Sequence, residues 1–283
     1  MIWQSDFETV TAERISSFKK LSGGDIGSSY CIRLESGDRC FVKHYPDAAE
    51  GQTHAEAEGL RWLNEPGEIR VAQVIAVGEQ WLALEWIECA QPGPHSAALL
   101  GRQLARLHAA GAPRIGADHD NWIGRLAQSN GEASDWPSFY VDRRLRPLVL
   151  RARHESLLGA EATHDFEQLY DRVEQIVGPH EPPARLHGDL WSGNLLFDQD
   201  GAPWLIDPAA YGGHREVDLA MMKLFGGFQA EVFEAYHREA PLNEGSATRI
   251  DLYQLYPLLV HLLLFGESYT SSVMAALHRL LRS

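Results

Sequence analysis

The pattern of apolar and polar positions changes near residue 88. Before that point apolar residues come in short runs punctuated by Gly, Ser and Asp; after it they recur mostly at helical spacing. From Leu21 the chain reads "LSGGDIGSSYCIRLESGDRCFVKHY": a Gly/Ser cluster, an apolar run, a turn at Ser36-Gly37-Asp38, and a second apolar run ending at Lys43. That order predicts a glycine-rich loop leading into a β-hairpin. In "QTHAEAEGLRWLNE", Leu60 and Leu63 fall four and seven positions after Glu56, which puts Glu56 on the apolar face of a helix, whereas Glu58 aligns with Arg61 and points elsewhere. "VAQVIAVG" and "WLALEWIE" read as two further strands, the second an interior one, and "CAQPGPH" as a break. Helical periods follow in "SAALLGRQLARLHAAG", in "THDFEQLYDRVEQIV" with Phe166, Leu169, Val173 and Ile176 on one face, in "AEVFEAYHREA" and in the C-terminal segments. The pattern predicts an α+β chain: a small β-rich N-terminal lobe over residues 1–88 and a larger, mainly helical lobe over 89–283.

One stretch among the helices departs from this pattern. "RLHGDLWSGNLLF" sets a His, an Asp, an Asn, two Gly and a Trp between apolar residues. Asp189 and Asn194 are five apart, and Asp207 lies thirteen further on in "PWLIDPAA", after a Gly turn and another apolar run. Each alone reads equally as a turn residue or a helix cap. Together they are the set that phosphoryl transfer from ATP needs, a carboxylate to take the proton of an attacking hydroxyl and an Asn and an Asp to hold magnesium on the phosphates. Hard oxygen ligands suit magnesium, and two protein ligands are enough when phosphate and water complete the shell. None of the 13 His stands at ligand spacing from another His or a Cys, which excludes a soft-metal site.

The upstream half supplies the rest of a nucleotide cleft in the required order. Gly23, Gly24 and Gly27 would let the backbone approach phosphates, with Ser28 and Ser29 as donors. Lys43 would meet the phosphates and Glu56 would hold Lys43. The backbone from Glu85 to Ile87, between the lobes, is where adenine would find hydrogen bonds, by analogy with kinase hinges. Asp218, in "HREVDLAMM", reads as a helix-start residue that caps the helix or ties down the catalytic loop, and His187 as a buttress of that loop.

Composition narrows the partners. With 25 Lys plus Arg against 39 Asp plus Glu, the net charge of −14 argues against a polyanion such as nucleic acid. The three cysteines, Cys31, Cys40 and Cys89, sit in apolar, strand-like contexts and read as free, mostly buried thiols of a reducing compartment. The opening residues lack the layout of a signal peptide, and "LYQLYPLLVHLLLFG" is interrupted by Gln254, Pro257 and His261 and too short to span a bilayer. A cytoplasmic address and no membrane partner are expected.

Only eight residues, Pro208 to Arg215, separate Asp207 from Glu216, too few for the long segment on which protein kinases lay a peptide. Trp191, two after Asp189, reads either as a surface for stacking a sugar or as a core tryptophan. "HGDLWSGN", "IDPAAYGGHREVDLAMMKLFGGF" and "LYQLYPLLVHLLLFG", with "HDNWIG" and "SDWPSFYVDRRLRPL" in the middle region, resemble the fructosamine kinase (ketosamine kinase) family over nearly the whole chain. The resemblance implies a bilobal protein-kinase-like fold with an ATP-binding lobe and a catalytic, substrate-binding lobe. It implies ATP- and Mg2+-dependent phosphorylation of the third-carbon hydroxyl of a small-molecule ketoamine, free or attached to a protein lysine. The product decomposes and frees the amine, which is deglycation. Carried over by position, Asp189 is the base, Asn194 and Asp207 hold magnesium, Lys43 and Glu56 bind phosphate, and Trp191 and His214 neighbour the sugar. Three departures stand out: Asp25 where many members have a cysteine, "GRLAQ" in place of a more usual Thr-Pro-Gln after "NWIG", and Pro257, expected to kink its helix. A kinase for another small hydroxyl substrate such as an aminoglycoside, and a catalytically silent nucleotide-binding module, are the alternatives. The preferred sugar and the oligomeric state are not readable.

Overall fold

The computed structural model describes residues 2–22 and 27–282. Gly23, Gly24 and Asp25 of the glycine loop lie outside the described residues. The first part of the chain forms α1 (Ile2–Thr11), β1 (Ile15–Lys20), β2 (Ser28–Leu34), β3 (Arg39–His44), α2 (Gln52–Asn64), β4 (Arg70–Val71), β5 (Val74–Gly78) and β6 (Trp81–Glu85). Next come α3 (Ser96–Ala110), β7 (Asn121–Ile123), β8 (Leu126–Gln128), α4 (Trp136–Phe139), a π-helix at Tyr140–Leu145, α5 (Arg146–His154), α6 (Ala160–Tyr170) and α7 (Val173–Ile176). The remainder forms β9 (Ala184–Leu186), β10 (Leu195–Phe197), β11 (Pro203–Leu205), β12 (Tyr211–Gly213), α8 (Glu216–Phe225), α9 (Ala230–Glu239), α10 (Ile250–Phe265) and α11 (Thr270–Arg282).

Five antiparallel strands in the order β1-β2-β3-β6-β5 make the N-terminal sheet. Strand alternation divides its two faces. Cys40 and Val42 of β3 join Trp3, Phe7, Ile32 and Trp81 in a core covered by α1. Phe41 and Lys43 point to the opposite face, where α2 lies. There Ala57, Leu60 and Leu63 of α2 pack with Leu82 and Leu84 of β6, Leu104 of α3, and Leu190, Leu205 and Met222 from later in the chain. One apolar core therefore runs across the change of pattern at residue 88 and fixes the sheet against the helices. A third core lies wholly within the helical part, around Phe139, Phe166, Tyr211 and Tyr253.

Several expectations are corrected. "VAQVIAVG" is not one strand: Val71 pairs in parallel with Leu205 of β11, and only from Val74 does the run join the five-stranded sheet. The switch is fixed by the Ala72 N–H donating to Leu205 O at 3.1 Å and the Gln73 N–H donating to Glu85 Oε1 at 2.7 Å. The helical period through Phe166–Ile176 is divided between α6 and α7, with Asp171 closing α6. Cys89 is exposed and outside any strand, meeting Asp198 through an isolated bridge, whereas Cys40 is buried and Cys31 half-buried. Pro257 lies inside an uninterrupted α10, and its carbonyl accepts from His261 Nδ1 at 2.8 Å. Among the described residues no helix is long and apolar enough to cross a membrane.

Gly101 sets how close α3 and α9 come. A Cβ there would run into the Val232 carbonyl oxygen, Ala235 Cβ and the Tyr236 amide. Alanine in a helix interior is favoured over glycine by about 1 kcal/mol, but here the added methyl meets backbone that cannot turn aside. The clash wins, and Gly101→Ala is expected to lose about 2 kcal/mol. A lower urea midpoint at unchanged slope checks it.

Candidate active site

Lys43 is the penultimate residue of β3, on the α2 face, and is 7% exposed. Its ammonium meets Glu56 Oε1 at 2.6 Å and also ion-pairs with Asp207 Oδ1. Tyr45 OH donates to the other Glu56 oxygen at 3.1 Å. Burial works against the Lys43 charge, but Asp207 and Glu56 outweigh it and hold the ammonium well above its usual pKa. For Glu56 burial prevails over Lys43 and the carboxyl is raised. Three residues far apart in sequence are thus joined as one ion cluster.

The second half of the site is the turn after β9. The Asn194 Nδ2–H2 group donates to the Asp189 carbonyl at 2.8 Å, to Asp189 Oδ2 at 3.1 Å and to the Asp207 carbonyl at 3.4 Å. Asn194 therefore brings Asp189 and Asp207 together and keeps its own amide oxygen as an acceptor. Burial pushes the Asp189 carboxyl up to about 8, against the Asn194 hydrogen bond and with Asp207 and Asp218 adding to the rise. Asp207 Oδ1 is buried with the Lys43 ammonium as its partner among the described residues. The Asp207 carboxylate and the Asn194 amide oxygen are hard donors, and the pair fits a magnesium ion whose shell phosphate and water complete.

The loop is held from behind by Asp218, the third residue of α8, which is fully buried. Its carboxylate accepts from His187 N–H at 2.8 Å and Gly188 N–H at 2.9 Å, and meets His108 Nε2 at 3.2 Å. The other nitrogen of His108 bonds Tyr236 OH at 2.8 Å, so α3, α8 and α9 converge on one carboxylate. Burial alone would raise Asp218, but His108, His187 and Gly188 bring it below the usual range. His187 lies between the two acidic segments: its Nε2 meets Ile206 O at 2.9 Å while Nδ1 accepts from the Asp189 N–H at 3.2 Å. Gly188, at φ +82, must be glycine because a Cβ there would strike the Ala209 carbonyl.

The other residues singled out from the sequence fall as follows. Gly27 approaches Tyr45 and the His44 carbonyl closely enough that a side chain would clash, and Ser28 pairs with His44 across the hairpin. Glu85 ends β6 opposite Cys40, and the Ile87 carbonyl accepts from the Cys89 thiol at 3.5 Å. Trp191 is 38% exposed, which removes the core-tryptophan reading; its ring folds over Gly193. His214 is not brought to an open surface. It is 7% exposed, stacked on Tyr253 at 5.2 Å and beside Trp136, because Gly213 leaves room for the Trp136 ring.

Sequence reasoning missed Tyr45, His108 and Tyr236. Tyr45 was findable, being two residues after Lys43 and so on the same side of the strand. His108, four after Leu104, shares that buried helical face.

Asp218→Asn replaces one acceptor by an NH2 group facing an N–H donor. The expected loss is about 1–3 kcal/mol, with a fall in turnover, read by urea denaturation and steady-state rates. Burial lowers the His214 pKa against the pull of Glu216 and Glu181, so the folded ring is neutral while the unfolded one takes a proton near pH ~6.5. Its contribution is present above that pH and lost as pH falls. His214→Phe keeps a stacked ring and is expected to flatten the decline of the urea midpoint between about pH 6.5 and 5.

The chain matches the fructosamine kinase family over residues 3–283. It is 38% identical over 275 residues to a chain assigned as a ketoamine kinase in Enterococcus faecium, covering 95% of this chain and 97% of that one. Identity to the chloroplastic protein-ribulosamine 3-kinase of Oryza sativa subsp. indica is 34%, over 96% of this chain and 80% of the relative. A crystal structure assigned as a fructosamine-3-kinase of Thermobifida fusca superposes with a TM-score of 0.93 at 39% identity, covering 99% and 98% of the two chains. A macrolide 2'-phosphotransferase type I, at TM-score 0.62, 16% identity and 96% coverage of each chain, shares the fold. The β-sheet lobe, the helical lobe and a full-length match of this kind make the chain a member of the fructosamine kinase family, a kinase with a protein-kinase-like fold.

Proposed function

We propose that this protein uses ATP to phosphorylate the third-carbon hydroxyl of ketoamines, releasing the amine when the product decomposes. The observation that carries the reading is the meeting of Lys43, Glu56, Asp207, Asn194 and Asp189 through direct contacts, although they come from four separate segments. Residues 1–88 form the nucleotide-binding lobe and 89–283 the catalytic and acceptor lobe. Lys43, fixed by Glu56, binds the phosphates, with Gly27 and Ser28 at the start of β2 beside them; the backbone at Glu85 and Ile87 faces the adenine. Asn194 and Asp207 hold magnesium, which when bound neutralises the phosphates and the acidic pair. Asp189 accepts the proton of the sugar hydroxyl as that oxygen bonds to the γ-phosphorus and the bond to the ADP oxygen breaks.

The acceptor side is aromatic. Gly227 lies against Ser192, which sets the end of α8 beside the catalytic loop. Phe225 there is 37% exposed and 4.5 Å from the His261 ring, which also meets Phe265 and Tyr269. With Trp191 these rings offer flat faces for the C–H face of a sugar, and ring faces attract the ammonium of a ketoamine. The amine can be free or a protein lysine.

The test is magnesium-dependent ADP release on ribulose-lysine, fructose-lysine, an aminoglycoside and choline. Turnover is expected on the ketoamines; turnover on the others alone would overturn the reading. Asp189→Asn is expected to bind ATP as before and lose at least about 100-fold in kcat; near wild-type turnover would remove Asp189 as the base. Trp191→Ala is expected to raise the ketoamine KM with little change in the ATP KM.

A further inference from the structure

The hairpin of β7 and β8, with Asn130 just beyond it, has no part in the roles above, yet it carries a buried network of amides. Asn121, Gln128 and Asn130 are 8%, 1% and 1% exposed. Asn121 Nδ2 donates to Ala210 O at 2.9 Å, and Gln128 Nε2 donates to Ala209 O at 3.1 Å. These two carbonyls follow Asp207 by two and three residues. Asn121 Oδ1 accepts from Gln128 Nε2 at 2.8 Å and Asn130 Nδ2 at 2.9 Å, which fixes the orientation of all three amides. Tyr256 OH donates to Gln128 Oε1 at 2.6 Å from α10.

Behind the hairpin stands Arg144, fully buried and placed by the π-helix. No carboxylate pairs with it among the described residues. It donates instead to Ser129 O at 2.5 Å and Asn130 Oδ1 at 2.7 Å, and lies 3.9 Å over the Tyr211 ring. A π-turn at a functional position commonly re-aims a side chain, and here it turns a cation onto the neutral end of an amide chain. In front, the Gly124 carbonyl at the hairpin tip accepts from Gln52 Nε2 at 3.2 Å. Gln52 begins α2, one helical turn before Glu56. The same hairpin therefore holds the helix that carries Glu56 and the backbone that follows Asp207.

We infer that the β7–β8 hairpin is a positioning strut for phosphoryl transfer: Asn121 and Gln128 clamp the backbone after Asp207, and Gln52 ties that clamp to α2. The inference rests on the roles given above to Lys43, Glu56 and Asp207. Asp207 is a non-glycine residue at φ +56 in a segment with only eight residues to spare before α8. Such a backbone needs outside support, and the buried carbonyls of Ala209 and Ala210 need donors that the short segment does not supply itself. The residues act through Asp207 and Glu56 and are positioning residues.

The experiment compares Gln128→Met, Gln52→Ala and the double variant. Calorimetry reads Mg·ADP affinity; steady-state rates read kcat and both KM values; urea denaturation establishes that each variant is folded at the assay temperature. Gln128→Met is expected to weaken Mg·ADP binding about 5- to 10-fold and to lower kcat with the ketoamine KM unchanged; a lowered folded fraction alone would lower kcat and the calorimetric stoichiometry but leave the Mg·ADP dissociation constant as it was. Gln52→Ala is expected to cost about 2- to 5-fold. Since both changes cut one strut, the double variant is expected to lose no more than Gln128→Met alone. Unchanged Mg·ADP affinity in both folded single variants, or losses that multiply in the double variant, would overturn the strut. Should Gln128→Met not fold, Tyr256→Phe, which removes only the hydroxyl that orients Gln128, takes its place with the same expectations. A wild-type protein silent on ketoamines would fail the functional reading while the Mg·ADP measurement still decides the strut.

Discussion

A single ammonium, Lys43 Nζ, shared between the carboxylates of Glu56 and Asp207, is the interaction on which the site depends. Taking an ion out of water costs several kcal/mol even after relaxation, roughly 20 kcal/mol in the idealised limit, and only close partners offset it. Lys43 can be buried at the end of β3 because α2 and the segment after β11 each bring a carboxylate to it. The two partners differ. Glu56 is also held by Tyr45, whereas the Asp207 side chain is 38% exposed and lies beside Asn194. Asp207 is the member that can share its charge with a cation while Glu56 keeps the ammonium in place.

The same reasoning explains why a polar island interrupts an apolar segment at "RLHGDLWSGNLLF". Its polar groups hold backbone. Asp218 takes two consecutive main-chain N–H groups, His187 uses one ring nitrogen on Ile206 and the other on Asp189, and Asn194 crosses to both acidic residues. Buried backbone amides without partners are costly, so each of these side chains settles a local debt of the turn while aiming Asp189. Leu186 and Leu190 on either side are fully buried and anchor the ends.

How much of this could be read from the sequence depended on the range of the cause. The facing of Lys43 and Glu56 follows from two local periods, strand alternation and helical spacing, and both elements form where those periods lie. The nearness of Asp189, Asn194 and Asp207 followed from a strand-turn-strand layout that keeps them within one small unit, β10 paired with β11. What was not legible had a distant cause. His214 stands beside motif residues in sequence, but Trp136 and Tyr253, remote along the chain, draw it inward. "VAQVIAVG" reads as one strand until β11 takes its first residues away. Asn121 and Gln128 look like ordinary loop polars in "HDNWIGRLAQ", since the carbonyls that need them lie more than eighty residues later.

The two sides of the site are built from different materials, and this divides what each tolerates. On the side proposed for the phosphates the groups are buried ions and amides, most of them paired with one another, so that a single substitution strands another group. On the side proposed for the acceptor the rings of Trp191, Phe225 and Phe265 are exposed, and their packing is incomplete on one side. Exposed rings of this kind can be exchanged at little cost to the fold. The short stretch from Pro208 to Arg215 spans the distance from Asp207 to α8, and its Ala209 and Ala210 carbonyls accept from Gln128 and Asn121. On the proposed reading the choice of sugar and amine falls to a few rings and the helix ends beneath them, while the buried groups meet the acceptor only at the hydroxyl that faces Asp189.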